Sequence, residues 1–232
     1  MPARVRKFTG NFFTMLQHTA LDTETAPLPE EQIKPLMPLF AAPANWVDPV
    51  KIAAKIREQQ VNWLEKAALS PLTGRVLVIG MKRFGEAPVY LEGDERDILL
   101  NFWAAIDVDR QFDEFYGHNL YDFDLPYIIR RSWVHGIPVR IDVVMSGRYI
   151  NERRFHDTMV AWKCGSRSAD YVSLDTVAKF FGFAGKSDDI GANFAEIYAT
   201  DPERALAYLG NDLTLTEGVA KIMFGHHLRA AA

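Results

Sequence analysis

Asp22 and Glu24 stand two residues apart in Leu21-Asp22-Thr23-Glu24-Thr25, and Tyr208 and Asp212 stand four apart in Tyr208-Leu209-Gly210-Asn211-Asp212. On an extended strand the first spacing turns both carboxylates to one face. On a helix the second stacks a phenol and a carboxylate about 6 Å apart. Between the two lies an acidic turn containing Asp122 and Asp124. Carboxylates aimed at one point repel each other unless a cation sits between them. A cage of this kind can hold two divalent metals, an arrangement suited to cutting phosphodiester bonds. Each piece also has a plainer reading. The Asp-x-Glu pair suits one helix cap and one surface acid. Gly210, which costs about 1 kcal/mol against alanine inside a helix, fits either close approach of a backbone or ligand, or ordinary packing.

The surrounding sequence indicates what positions these groups. An apolar run from Phe13 to Asp22 reads as a strand, and the Pro-rich stretch from Ala26 to Pro49 as mostly irregular with one short helix. Asp48-Pro49 predicts a helix start, with a capping oxygen followed by proline in the first turn. Ile52, Ile56, Trp63, Leu64 and Ala67 follow at helical spacing as an apolar stripe. Lys51, Lys55 and Lys66 lie off that stripe, where they could approach a nucleic acid, and Ser70-Pro71 should stop the helix. Arg75 to Met81 reads as a buried strand, with Val89-Tyr90-Leu91 as its neighbour. Glu95 to Ile106 should be a helix burying Ile98, Leu99, Phe102, Trp103 and Ile106.

A short strand over Phe112 to Tyr116 then leads into the acidic turn. Leu125 to Val134 should be helical, with Pro126 tolerated in its first turn. Further expectations are a strand from Arg154 to Asp157 and a helix from Ser173 to Phe181 capped by Ser173. A last long helix should open at Asp201-Pro202, bury Leu206, Leu209 and Leu213, and end at Gly225. Strands alternating with helices in this order suit an α/β fold, a mixed sheet with helices on both faces.

At 232 residues and 48% hydrophobic content the chain suits one large domain, or a compact domain carrying an insertion. No stretch reaches the roughly 18 apolar residues that cross a membrane. Arg4, Arg6 and Lys7 make a basic start, but Thr9-Gly10-Asn11 and Gln17-His18 interrupt any apolar signal region. A reducing, cytoplasmic setting is expected. Cys164 is the sole cysteine, which excludes intrachain disulfides and thiolate zinc clusters. A net charge of -4 weakly opposes binding of a polyanion, but two bound divalent cations would bring it close to zero. Lys82-Arg83, Arg130-Arg131 and Arg153-Arg154 are candidate basic clusters, although the usual reading of any such pair is solvated surface.

The middle segment, Gly117-His118-Asn119-Leu120-Tyr121-Asp122-Phe123-Asp124-Leu125-Pro126-Tyr127-Ile128, resembles the second exonuclease motif of the proofreading domains of family-B DNA polymerases. Residues 21–25 are similar to the first motif and 208–212 to the third. Ser173-Leu174-Asp175-Thr176-Val177-Ala178, with Gly185-Lys186, also resembles this group. The likeness runs from about residue 13 to residue 224 and is weak across the segment from about 27 to 70, which reads as a helical insertion after the first strand. Three motifs in order, each in matching strand or helix context, make a specific signal together although none is specific alone.

The resemblance implies a DEDD 3′–5′ exonuclease of the tyrosine subgroup on a ribonuclease H-like fold. Carried onto this sequence, Asp22, Glu24, Asp124 and Asp212 would be the metal carboxylates and Tyr208 the catalytic tyrosine. Asp122 also follows Asn119 at a spacing that some relatives use, although Phe123-Asp124-Leu125-Pro126 matches the polymerase-like pattern better. The histidine subgroup places its histidine where Ala207 stands here. His118 and His156 read as structural histidines, His226 and His227 as tail residues, and Asp157, Asp188 and Asp189 as structural or surface acids. The implied cofactors are two Mg2+ or Mn2+ ions, and the implied partner is a single-stranded DNA 3′ end. Asn119 and Phe123 would meet the terminal nucleotide, Phe123 being equally readable as core. Arg153, Arg154, Lys163 and Arg167 could meet phosphates. An exoribonuclease and a non-catalytic binding module are the competing expectations.

Overall fold

The computed structural model describes residues 17–106, 113–146, 149–166, 171–186 and 190–225. The start of the first apolar run, Phe112, Arg167, Asp188, Asp189, His226, His227 and the basic residues at positions 4, 6 and 7 lie outside them. In chain order the strands are β1 (His18–Pro27), β2 (Gly74–Arg83), β3 (Val89–Leu91), β4 (Glu114–Gly117), the two-residue β5 (Met145–Ser146) and β6 (Tyr149–Ile150), and β7 (Phe155–Asp157). β1 is central. It pairs antiparallel with β2 and parallel with β4, giving the five-stranded order β3-β2-β1-β4-β7, while β5 and β6 pair separately as a hairpin. The architecture is a mixed α/β sheet flanked by helices, as in ribonuclease H-like folds.

Strand alternation divides the core between the two faces. On one face Leu21, Ile79 and Met81 pack with Ile98, Leu99, Phe102 and Trp103 of α3 (Glu95–Ala105) and with Leu125, Ile128 and Ile129 of α4 (Leu125–Val134). On the other, Ala20 and Val78 pack with Phe194 of α8 (Phe194–Thr200) and with Ala205, Tyr208, Leu209 and Leu213 of α9 (Pro202–Met223). Asp22 pairs in register with Gly80, and Leu209 and Leu213 fill the space in front of that glycine. The even-numbered side of β1, which carries both carboxylates, therefore faces α9.

Three expectations about packing are corrected. The helix opened by Asp48, α2 (Pro49–Glu65), is capped as expected by the Asp48 side chain, which accepts from the Val50 and Lys51 amides. It ends at Glu65, however, and none of its residues is buried. Of the expected stripe only Ala67 is core, and it sits in the following 3-10 turn. Helical spacing identified an apolar face without saying what would cover it. The basic pairs are also split between surface and core. Lys82 is buried against Glu217, Arg131 forms a two-pronged ion pair with buried Glu95, and Arg154 is buried. Finally, Phe224, not Gly225, caps the end of α9, and it does so without a left-handed residue.

Candidate active site

Residues Asp22, Glu24, Asn119, Phe123, Asp124, Tyr208 and Asp212 all line one cavity of about 300 Å³, together with Thr23, His118, Tyr171, Ser173, Leu174, Lys186, Gly191 and Thr216. Five parts of the chain converge there. Asp22 and Glu24 come from the middle of β1, just before a bulge between Glu24 and Thr25. Tyr208 and Asp212 come from adjacent turns of α9 and are almost fully buried.

The acidic loop delivers its residues through an irregular backbone. Asn119 takes a left-handed conformation, φ 71°, and a five-residue π-helical turn over Leu120–Asp124 runs directly into α4. That turn sends Asp124 inward, 2% exposed, and leaves Asp122 exposed to solvent. Asp157, at the end of β7, fixes the loop by accepting the amides of Asn119 (3.1 Å) and Tyr121 (2.9 Å) while also capping α6 (Thr158–Lys163) through Met159 and Val160. His118 is held by the Thr158 hydroxyl and the Val172 carbonyl. Phe123 is partly core, its ring 5.4 Å from that of Tyr127, and partly cavity wall.

So many acids in one buried place disturb one another. Burial, and next the charge of Asp212, push the Asp22 carboxyl up to about 7. Burial also raises Glu24 and Asp124, with Asp22 the next cause in each, and raises Asp212 against the pull of Lys186. Tyr208 is pushed up to about 12, chiefly by burial. Its phenol therefore keeps its proton at neutral pH.

Lys186 is the cation among the described residues lining this cavity. Its Nζ donates to Asp212 Oδ2 at 2.5 Å and to the Tyr208 hydroxyl at 2.8 Å. Burial works to lower the pKa of this ammonium, but Asp212 and the Tyr208 hydroxyl outweigh it and raise the value. The Lys186 backbone amide is pinned by Asp175 Oδ1 at 2.7 Å, so the first turn of α7 (Leu174–Phe180) sets where the lysine stands. The Gly185-Lys186 pair is visible in the sequence, but its place beside Tyr208 and Asp212 is not.

The donor set suits a hard divalent cation: carboxylate oxygens with no thiolate. Asp124 Oδ1 and Asp212 Oδ1 are buried without hydrogen-bond partners among the described residues, as oxygens awaiting a cation would be. Among the described residues, no group of three or more His, Cys, Asp or Glu is arranged to hold a metal ion as it stands. Here the ammonium of Lys186 supplies the positive charge. Of the other candidates, Arg153, Arg154 and Lys163 do not line the cavity. His156 lies elsewhere, 3.3 Å from Glu114.

The fold is shared with known proteins. A family B DNA polymerase from the hyperthermophilic archaeon Pyrobaculum calidifontis superposes over 93% of this chain with a TM-score of 0.56 and 19% identity. The chain spans only 25% of that polymerase's length. An uncharacterized protein of Methanocaldococcus jannaschii is 25% identical over 134 residues, 58% of this chain and 70% of that protein. No family model matches the sequence. Among the described residues, no helix is long and apolar enough to cross a membrane.

Proposed function

We propose that this chain is a metal-dependent 3′–5′ exonuclease of the DEDD type, tyrosine subgroup, releasing nucleoside 5′-monophosphates from the 3′ end of single-stranded DNA. The observation that carries the proposal is the meeting of Asp22, Glu24, Asp124, Asp212 and Tyr208 in one cavity. The polymerase-like motifs around those residues and the shared fold support it.

Asp22, Glu24, Asp124 and Asp212 would hold two Mg2+ or Mn2+ ions. When bound, such ions lower the pKa of water and neutralise charge on the leaving oxygen. The chain's own groups do the rest. Tyr208, protonated at neutral pH, orients the attacking water through its hydroxyl. Asn119 offers an amide and Phe123 a ring face to the last nucleotide. The cavity favours a frayed strand, because unpairing a duplex end costs energy.

The test is digestion of matched 5′-labelled DNA and RNA oligomers in Mg2+, Mn2+ or EDTA. The proposal expects a ladder shortening from the 3′ end of the DNA, absent in EDTA and in Asp22→Ala. Faster loss of RNA would reassign the chain as an exoribonuclease. Binding without metal-dependent cleavage would make it a non-catalytic nucleic-acid-binding module.

A further inference from the structure

Two kinds of cation have a claim on Asp212. One is the divalent ion of the proposed nuclease, on which this inference rests. The other is Lys186, whose ammonium lies 2.5 Å from Asp212 Oδ2 and 2.8 Å from the Tyr208 hydroxyl, with the Tyr208 ring centroid 4.9 Å away. Asp212 is buried while the lysine side chain is 28% exposed, so the ammonium closes over the carboxylate from the open side. A hard cation takes the lone pairs of carboxylate oxygens, and an ammonium donating to Oδ2 already uses part of that supply. The remaining oxygen, Oδ1, has no hydrogen-bond partner among the described residues. The lysine's main chain is held separately, by Asp175, and its flexible four-carbon stem lets the ammonium move without its backbone moving.

We propose that Lys186 is a resident counter-ion: it holds Asp212 and Tyr208 in the cation-free protein and gives up that contact when a divalent cation enters. Lysine and metal ion then compete for one carboxylate. The exchange accounts for a site that has the oxygens for a cation but is closed around an ammonium. Without the lysine, an empty site would keep four carboxylates, two of them buried, with no other lysine or arginine among the described residues that line the cavity. With it, the apparent affinity for metal is lowered by the fraction of molecules in which the lysine is docked.

Two measurements on the 232-residue chain test the exchange. Melting of wild type, Lys186→Met, Tyr208→Phe and the double variant, in EDTA and in saturating Mn2+, gives the coupling between the two side chains. The expected result is clear non-additivity in EDTA and additivity in Mn2+, with Mn2+ binding to Lys186→Met about tenfold tighter than to wild type by calorimetry. Reductive methylation of wild type, read by mass spectrometry, guards against a variant that fails to fold. Lys186 should react several-fold faster in Mn2+ than in EDTA. Undiminished coupling in Mn2+, or equal labelling in both conditions, overturns the exchange even if the protein cuts DNA. Failure of wild type and variants alike to bind Mn2+ overturns the two-metal reading itself.

Discussion

Asp157 holds Asn119 across the gap between β7 and the acidic loop, its Oδ1 accepting the Asn119 amide at 3.1 Å. The same carboxylate takes the Tyr121 amide and caps α6, so one buried side chain satisfies four backbone donors. Asp124 ends the loop so anchored, and Asp157 therefore positions a site carboxylate without lining the cavity. Asp157→Ala should lower stability by about 3 kcal/mol, because four backbone amides, one buried and three partly so, lose their acceptor. Urea denaturation reads this directly. A midpoint within error of wild type would mean that the loop does not depend on this anchor.

Asp122 and Asp124 are two residues apart but face opposite environments, one exposed and one buried in the cavity. Asp124→Asn should reduce Mn2+-dependent hydrolysis at least about 100-fold, by removing a charged ligand. Asp122→Asn should leave the rate within about twofold, as expected of an exposed group away from the chemistry. Rates on a 3′-terminal oligomer at saturating Mn2+ decide the matter, and the reverse pattern would exchange the two roles.

Tyr208→Phe keeps the ring that packs near Phe194 and removes only the hydroxyl. Hydrolysis should fall about 100-fold, the scale of a group acting on the water in the transition state, while oligomer affinity stays unchanged. Single-turnover rates and fluorescence anisotropy separate these quantities. Equal losses in both would make the hydroxyl a binding group.

Elements with strong local signals were legible in the sequence. α3 buries four of the five residues its spacing marks, and the fifth, Ile106, is buried as the residue that ends it; α4 spans its expected limits despite Pro126, and Ser173 caps α7. The carboxylate pairs were legible as same-face spacings, because strand and helix periods are local properties. What escaped depends on long-range packing. Nothing near Lys186 reveals that it will meet residues 22 and 26 positions later, and nothing in Arg130-Arg131 tells which arginine will turn inward to Glu95. Gly210, ambiguous between close backbone approach and packing, sits against the phenol of Tyr90.

The raised carboxyl pKa values give a pH dependence with a definite sign. Asp22, pushed up to about 7 from an unfolded value near 3.8, binds its proton more tightly in the folded chain. Its contribution favours the folded state fully below about pH 3.8 and is lost as pH rises to about 7. In EDTA, wild type should therefore lose stability relative to Asp22→Asn across that window. Mn2+ binding runs the other way, since the ligands must be ionised, and should release protons below pH 7. Calorimetry in two buffers of different ionisation enthalpy detects the release. Binding without proton release at pH 6 would show these carboxyls already ionised.

Gly210→Ala sets intrinsic helix preference against packing. Alanine gains about 1 kcal/mol over glycine inside a helix. Its Cβ, however, would stand 2.5 Å from the Tyr90 hydroxyl, which donates to the Leu206 carbonyl at 2.8 Å. Tyr90 would have to move, giving up that bond, at an overpacking cost of about 1–3 kcal/mol. Packing should win, and Gly210→Ala should melt below wild type. Tyr90→Phe removes the obstructing oxygen, so in that background the same substitution should become neutral or stabilising. If Gly210→Ala raises the melting temperature in both backgrounds, the contact with Tyr90 is not what calls for glycine at this position.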